Sequence, residues 1–87
     1  MTLDEFRASA RRINATDPAL PDHIAELAQP DIFPFVWIYE GETSINERPD
    51  GTFHLHIECS EYDSNDRAGL ELVLWDWITE LWATAGH

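Results

Sequence analysis

His54-Leu55-His56-Ile57-Glu58 is the stretch of this 87-residue chain whose residue types come nearest to a reactive set. An extended strand sends alternate side chains to the same side, so two imidazoles and a carboxylate share one face. Two histidines and a carboxylate form a ligand set used by zinc and by non-haem iron. The spacing works against that use. Alternate residues of one strand lie about 6.5–7 Å apart, so two of them share an ion only with favourable rotamers. No further ligand stands nearby in sequence. The stretch reads first as the polar face of a strand, with metal-dependent activity at His54, His56 and Glu58 as an alternative. No cofactor is expected.

The remaining chemistry is sparse. Asp63-Ser64-Asn65-Asp66 ahead of Gly69 invites a calcium loop, but with Gly69 at the sixth position of an EF-hand the twelfth is Trp75, which cannot bind the ion. There is no phosphate-binding glycine loop, no nucleophile elbow and no paired zinc cysteines. Cys59 is the single cysteine, which excludes an intrachain disulfide. It falls in the inward alternation of Phe53, Leu55 and Ile57, so it is expected to be an inert core thiol. A non-catalytic protein is expected.

Charge is the strongest global signal. Seventeen Asp and Glu stand against five Arg and no Lys, for a net charge of −12. Residues 1–12, with Arg7, Arg11 and Arg12, carry a net +1, and the rest carries −13. Such a field repels nucleic acid and anionic membranes and attracts basic protein surfaces. No apolar run approaches the ~20 residues that span a bilayer, and the first residues lack a basic-then-apolar leader pattern. A cytoplasmic protein is expected.

The elements that must position these residues follow from pattern. Hydrophobic residues make up 44% of the chain, enough for a dense core in a small single domain spanning residues 1–87. Thr2-Leu3-Asp4-Glu5 is a capping box, opening a helix with Leu3, Phe6, Ala10 and Ile13 on one face. Thr16 to Pro21 reads as a turn, because Pro18 and Pro21 remove two amide donors. Pro21 to Gln29 makes a short second helix with Leu20, Ile24 and Leu27 inward. Phe33 to Glu40, Thr43 to Glu47 and Thr52 to Cys59 read as strands, the middle one least firmly. Pro49-Asp50-Gly51 is a turn. Glu61 to Ser64 reads as an acidic linker, with Ser64 or Asp63 capping a long amphipathic helix that buries Leu70, Val73, Leu74, Trp77, Ile78 and Leu81. Trp75 and Trp82 lie on its flank, for packing under the first helix or across a homodimer. The expected fold is α+β in two layers: an antiparallel meander of two or three strands, with both terminal helices on one face.

Phe35, Trp37 and Tyr39 point one way along their strand, and Val36 and Ile38 the other. If the aromatics face outward, they join His54, His56 and Glu58 on an open face suited to a protein partner. With the acids at strand ends, the expected partner-binding set is Trp37, Tyr39, Glu40, Glu42, Glu47, Asp50, His54, His56 and Glu58. The leading expectation is a small acidic protein that blocks a basic surface of a nuclease or nucleic-acid-binding complex. It would act as a nucleic-acid mimic of the phage-encoded, anti-CRISPR kind, or as an immunity protein against a nuclease toxin. A homodimeric assembly module is the competing expectation.

Overall fold

The computed structural model describes residues 1–40 and 43–85, the last four of these by backbone only. The expectations placed on Glu42 and on the Trp82 side chain lie outside the described residues. The elements are α1 (Leu3–Ala8), β1 (Arg11–Asn14), α2 (Asp22–Leu27), β2 (Phe35–Tyr39), β3 (Thr43–Glu47), β4 (Phe53–Ile57), β5 (Ser60–Ser64) and α3 (Arg67–Ala85). The class is α+β, with a long C-terminal helix. The sheet is larger than expected: five antiparallel strands in the order β1-β2-β3-β4-β5.

Both additional strands come from segments that pattern assigned elsewhere. The capping box forms as expected: Glu5 N–H donates to Thr2 Oγ1 at 3.2 Å and Thr2 N–H to Glu5 Oε1 at 2.9 Å. The helix nevertheless ends after Ala8. The Ser9 hydroxyl donates to the Phe6 carbonyl at 2.6 Å and accepts from the Glu40 amide at 2.9 Å, which ties the helix end to the end of β2. The chain then runs along β2, with Ile13 opposite Val36 and Arg12 opposite Trp37. Pairing with β2 satisfies backbone groups that another helical turn would have satisfied internally, so the helical spacing of Ile13 did not decide the matter. β5 is the supposed acidic linker. Charged side chains are what an exposed edge strand carries to discourage further pairing.

Register settles the direction of the β2 aromatics. Trp37 lies opposite Ile45 and Tyr39 opposite Thr43. Ile45 belongs to the core formed with Phe6, Tyr39, Leu55, Ile57, Leu70, Leu74 and Ile78. Trp37 and Tyr39 therefore face α1 and α3, and Tyr39 is only 2% exposed. Val36 and Ile38 face the other side, where they pack with Ala15, Leu20, Ile24 and Ile13. Leu20, Ile24, Val36 and Ile38 are buried there, each contributing about 1.5–3 kcal/mol, and Ile24 anchors the six-residue α2.

Three inward assignments are corrected. Leu27 is 82% exposed, because α2 ends there before another turn reaches the sheet. Leu81 is 49% exposed, although Leu70, Leu74 and Ile78 earlier on α3 are buried. Cys59 is exposed, because alternation stops at Ile57: Ile57 pairs with Ser60 and leaves Glu58 and Cys59 as a two-residue turn. The α3 cap also differs. Asp66 accepts from the Ala68 amide at 3.1 Å, while Ser64 accepts from the Asp66 amide at 3.0 Å.

Candidate functional site

The β4–β5 hairpin carries the densest chemistry, divided between its two faces. On the face away from α3, His54 pairs with Asp63 and His56 with Glu61. His54 Nδ1 lies 2.9 Å from Asp63 Oδ1, and its Nε2 lies 3.4 Å from Glu61 Oε1. His56 Nδ1 is 3.7 Å from the same Glu61 oxygen. The His54 side chain is 12% exposed. Phe33 stacks on its ring with centroids 5.2 Å apart and planes inclined by 19°. Arg48 Nη2 reaches Asp63 Oδ1 at 2.6 Å. The bonds from His54 and then Arg48 hold the Asp63 carboxyl below its ordinary range. These groups open onto a groove of about 850 Å³ that Leu27, Ile32, Phe33, Asn46 and His56 help to line. In the β3–β4 ladder Asn46 pairs with His54 and Glu47 with Phe53, and Thr43, Ser44 and His56, beyond those pairs, also line the groove.

Glu58 does not join the two histidines. It sits in the turn at φ +52°, and its carboxylate accepts from the Trp77 indole N–H at 3.4 Å. Tyr62, on the α3 side of β5, lines a hollow of about 320 Å³ together with Ile57, Val73, Asp76, Trp77 and Glu80. Tyr62 is exposed and Trp77 half-buried. Two aromatic rings and two carboxylates around one hollow suit a lysine or arginine side chain, through cation–π attraction and charge pairing.

The other expected partner-binding residues are placed apart from this hairpin or inside the fold. The Tyr39 hydroxyl donates to Glu71 Oε2 at 2.6 Å, beneath α3. Burial and then that carboxylate push its ionisation far above the ordinary phenol range. Trp37 donates its indole N–H to Glu47 Oε1 at 2.8 Å and lies under the Arg67 guanidinium, 3.5 Å from the ring centre. Glu47 also holds Arg12 at 2.7 Å, and the bonds from Arg12 and Trp37 keep its carboxyl low. Glu40 is exposed beside the Ser9 contact. Asp50 is exposed in the β3–β4 turn, where its Oδ1 accepts from the Thr52 hydroxyl and amide at 2.7 and 3.0 Å. Those bonds hold Asp50 below its ordinary range. The strand order puts Glu40 and Asp50 at opposite ends of the sheet.

Four of the five arginines are turned to the protein's own acids. Arg7 Nε lies 3.5 Å from Glu71, Arg67 Nε 3.8 Å from Glu71, Arg12 Nη2 2.7 Å from Glu47 and Arg48 Nη2 2.6 Å from Asp63. Arg7 therefore braces α1 against α3, and Arg12 braces β1 against β3. Trp75 lies 5.2 Å from Phe6, centroid to centroid, which places it against the first helix.

Glu61, Tyr62, Asp76 and Glu80 were absent from the expected site. The signal for Glu61 and Tyr62 was present, because a two-residue turn after Ile57 makes Ser60 to Ser64 the mirror of Phe53 to Ile57. Asp76 and Glu80 follow once Tyr62 is known to face α3. Among the described residues, no helix is long and apolar enough to cross a membrane. Comparison with protein-family models, with curated protein sequences and with solved structures found no match to this chain.

Proposed function

We propose that this chain is a non-catalytic binding protein that docks on a basic surface of another protein through the tip and α3 side of the β4–β5 hairpin. The observation that carries the reading is the hollow between Tyr62 and Trp77 with Asp76 and Glu80 at its rim. An arginine of the partner entering it meets aromatic faces and carboxylates together. Two further features support the reading. Four arginines pair with Glu47, Asp63 and Glu71, leaving the outward field to exposed carboxylates such as Glu40, Glu58, Asp66 and Asp76. Glu58 also holds a left-handed backbone conformation that costs a non-glycine residue ~1 kcal/mol or more, and such outliers gather at functional sites.

The partner class this chemistry favours is a nuclease or nucleic-acid-binding complex, whose cleft already presents basic rows for phosphate. Carboxylates at strand spacing take the place of phosphates there. Both a phage-type inhibitor of a nuclease defence and an immunity protein for a nuclease toxin fit this class. The test is affinity capture from nuclease-treated lysate, followed by association kinetics on the captured partner. A basic nucleic-acid-binding protein is expected. Combined Glu58→Lys, Asp76→Lys and Glu80→Lys should slow its association about tenfold or more, because steering acts on the on-rate. An unchanged on-rate at low salt, or captured proteins with no basic character, removes the reading.

A further inference from the structure

We propose that His54, His56 and Glu61 form a binding site for one divalent transition-metal ion, with Asp63 as the residue that orients His54. This site lies on the opposite face of the hairpin from the proposed docking hollow and does not depend on it. One ligand atom from each of the three side chains lies within 4.8 Å of the others. Tetrahedral coordination at zinc bond lengths of about 2.0–2.1 Å places ligands about 3.4 Å apart. His54 Nε2 and Glu61 Oε1 already stand at 3.4 Å, and His56 Nδ1 stands 3.7 Å from that oxygen. A small rotation of exposed His56 and Glu61 closes the rest. The neighbouring strand resolves the spacing difficulty of a single strand, because Glu61, opposite His56, brings one carboxylate oxygen within 3.4 and 3.7 Å of the two imidazoles.

The surroundings distinguish this set from a solvated cluster. His54 is largely buried and held by the Phe33 ring on one side and Asp63 on the other. Asp63 is in turn fixed by Arg48 at 2.6 Å. A carboxylate that accepts from Nδ1–H presents the Nε2 lone pair outward, which is the arrangement that prepares a histidine for metal. With Asp63 on Nδ1, the other ring nitrogen stands 3.4 Å from Glu61 Oε1, a pair that a cation between the two would stabilise. Imidazoles with a single carboxylate suit zinc, cobalt or nickel, whereas calcium and magnesium take oxygen ligands. Three protein ligands leave a fourth position to water or to a group of a bound partner.

The experiment titrates the full chain with Zn2+ by calorimetry and with Co2+ by visible absorption, with thermal melts confirming that each variant folds. One ion per chain is expected, with a dissociation constant of about 10 µM or tighter. His56→Ala and Glu61→Gln, both at exposed positions, should each weaken binding about tenfold or more and move the Co2+ bands. Asp63→Asn should weaken binding about 10–100-fold while leaving the band positions unchanged, since it acts through His54. Asp76→Lys with Glu80→Lys, on the other face, should leave the stoichiometry and the Co2+ bands unchanged. The proposal is overturned if no 1:1 binding is found, if His56→Ala and Glu61→Gln bind as the parent does, or if millimolar Ca2+ displaces the ion. Those outcomes would leave a histidine pinned between two acids and a general attraction of cations to an acidic surface.

Discussion

Replacing Tyr39 by Phe removes one oxygen from the centre of the molecule, and its consequence can be worked from the contacts around Glu71. Glu71 is the buried carboxylate among the described residues, 3% exposed. Its short contact is the Tyr39 hydroxyl at 2.6 Å, while the Nε atoms of Arg7 and Arg67 stand at 3.5 and 3.8 Å. Both Nε atoms are buried without a hydrogen-bond partner, so neither arginine substitutes for the phenol in place. A hydrogen bond to a charged group contributes about 1.5–3 kcal/mol. Tyr39→Phe should therefore cost about 2–3 kcal/mol. With a urea m value of ~1 kcal/mol/M for a domain this small, the midpoint should fall by about 2–3 M. The thermal midpoint should fall by about 10 °C or more. Equilibrium urea unfolding followed by tryptophan fluorescence measures the first directly. Glu71→Gln should cost about 3 kcal/mol or more, because it leaves two arginines without their counter-charge. The double variant should cost less than the sum, since both changes remove the same contact. A Tyr39→Phe protein within about 0.5 kcal/mol of the parent, the range of an unremarkable surface change, would refute the assignment of this contact as a main internal brace.

Other outcomes follow from the same geometry. The Glu47 carboxyl is held below the ordinary carboxylate range by Arg12 and Trp37. A depressed carboxylate contributes stability that is present above the unfolded pKa and lost as pH falls through the folded one. Unfolding titrations should thus show stability falling below about pH 4.5, with a smaller fall in Glu47→Gln; an unchanged acid limb in that variant contradicts the pairing. Cys59 lies exposed in the hairpin turn, so a thiol reagent should label the native protein at nearly the rate of the unfolded chain. Labelling that requires unfolding would return Cys59 to the core.

Much of the architecture was legible because long periodic segments leave few choices. The α3 stripe through Leu70, Leu74 and Ile78, the alternation of β4 and the capping box at Thr2 each state one answer in local residues. What was not legible depended on pairing at a distance. Ile13 fits a helix face and a strand face equally, and only the open edge of β2 decides between them. Glu61 to Ser64 is too polar to announce a strand, yet polar residues are what an edge strand tolerates. That single misreading moved the site. With Glu61 to Ser64 read as a linker, Glu58 is the nearest third partner for His54 and His56. With β5 in place, Glu61 and Asp63 stand across from the histidines, and Tyr62 turns toward Trp77. The direction of Trp37 and Tyr39 was likewise open, because β2 is apolar on both sides and is in fact packed on both.

The most direct test of the docking account uses the Trp77 indole N–H as a reporter. The 15N-labelled protein is titrated with an arginine-rich peptide at several salt concentrations, and tryptophan side-chain resonances are followed by heteronuclear NMR. The account predicts a saturable shift of the Trp77 indole signal, together with Tyr62, Asp76 and Glu80 amides, that weakens as salt rises and disappears in Asp76→Lys with Glu80→Lys. Shifts spread evenly over the acidic surface, or a Trp77 signal that stays fixed while other acidic regions respond, would contradict it.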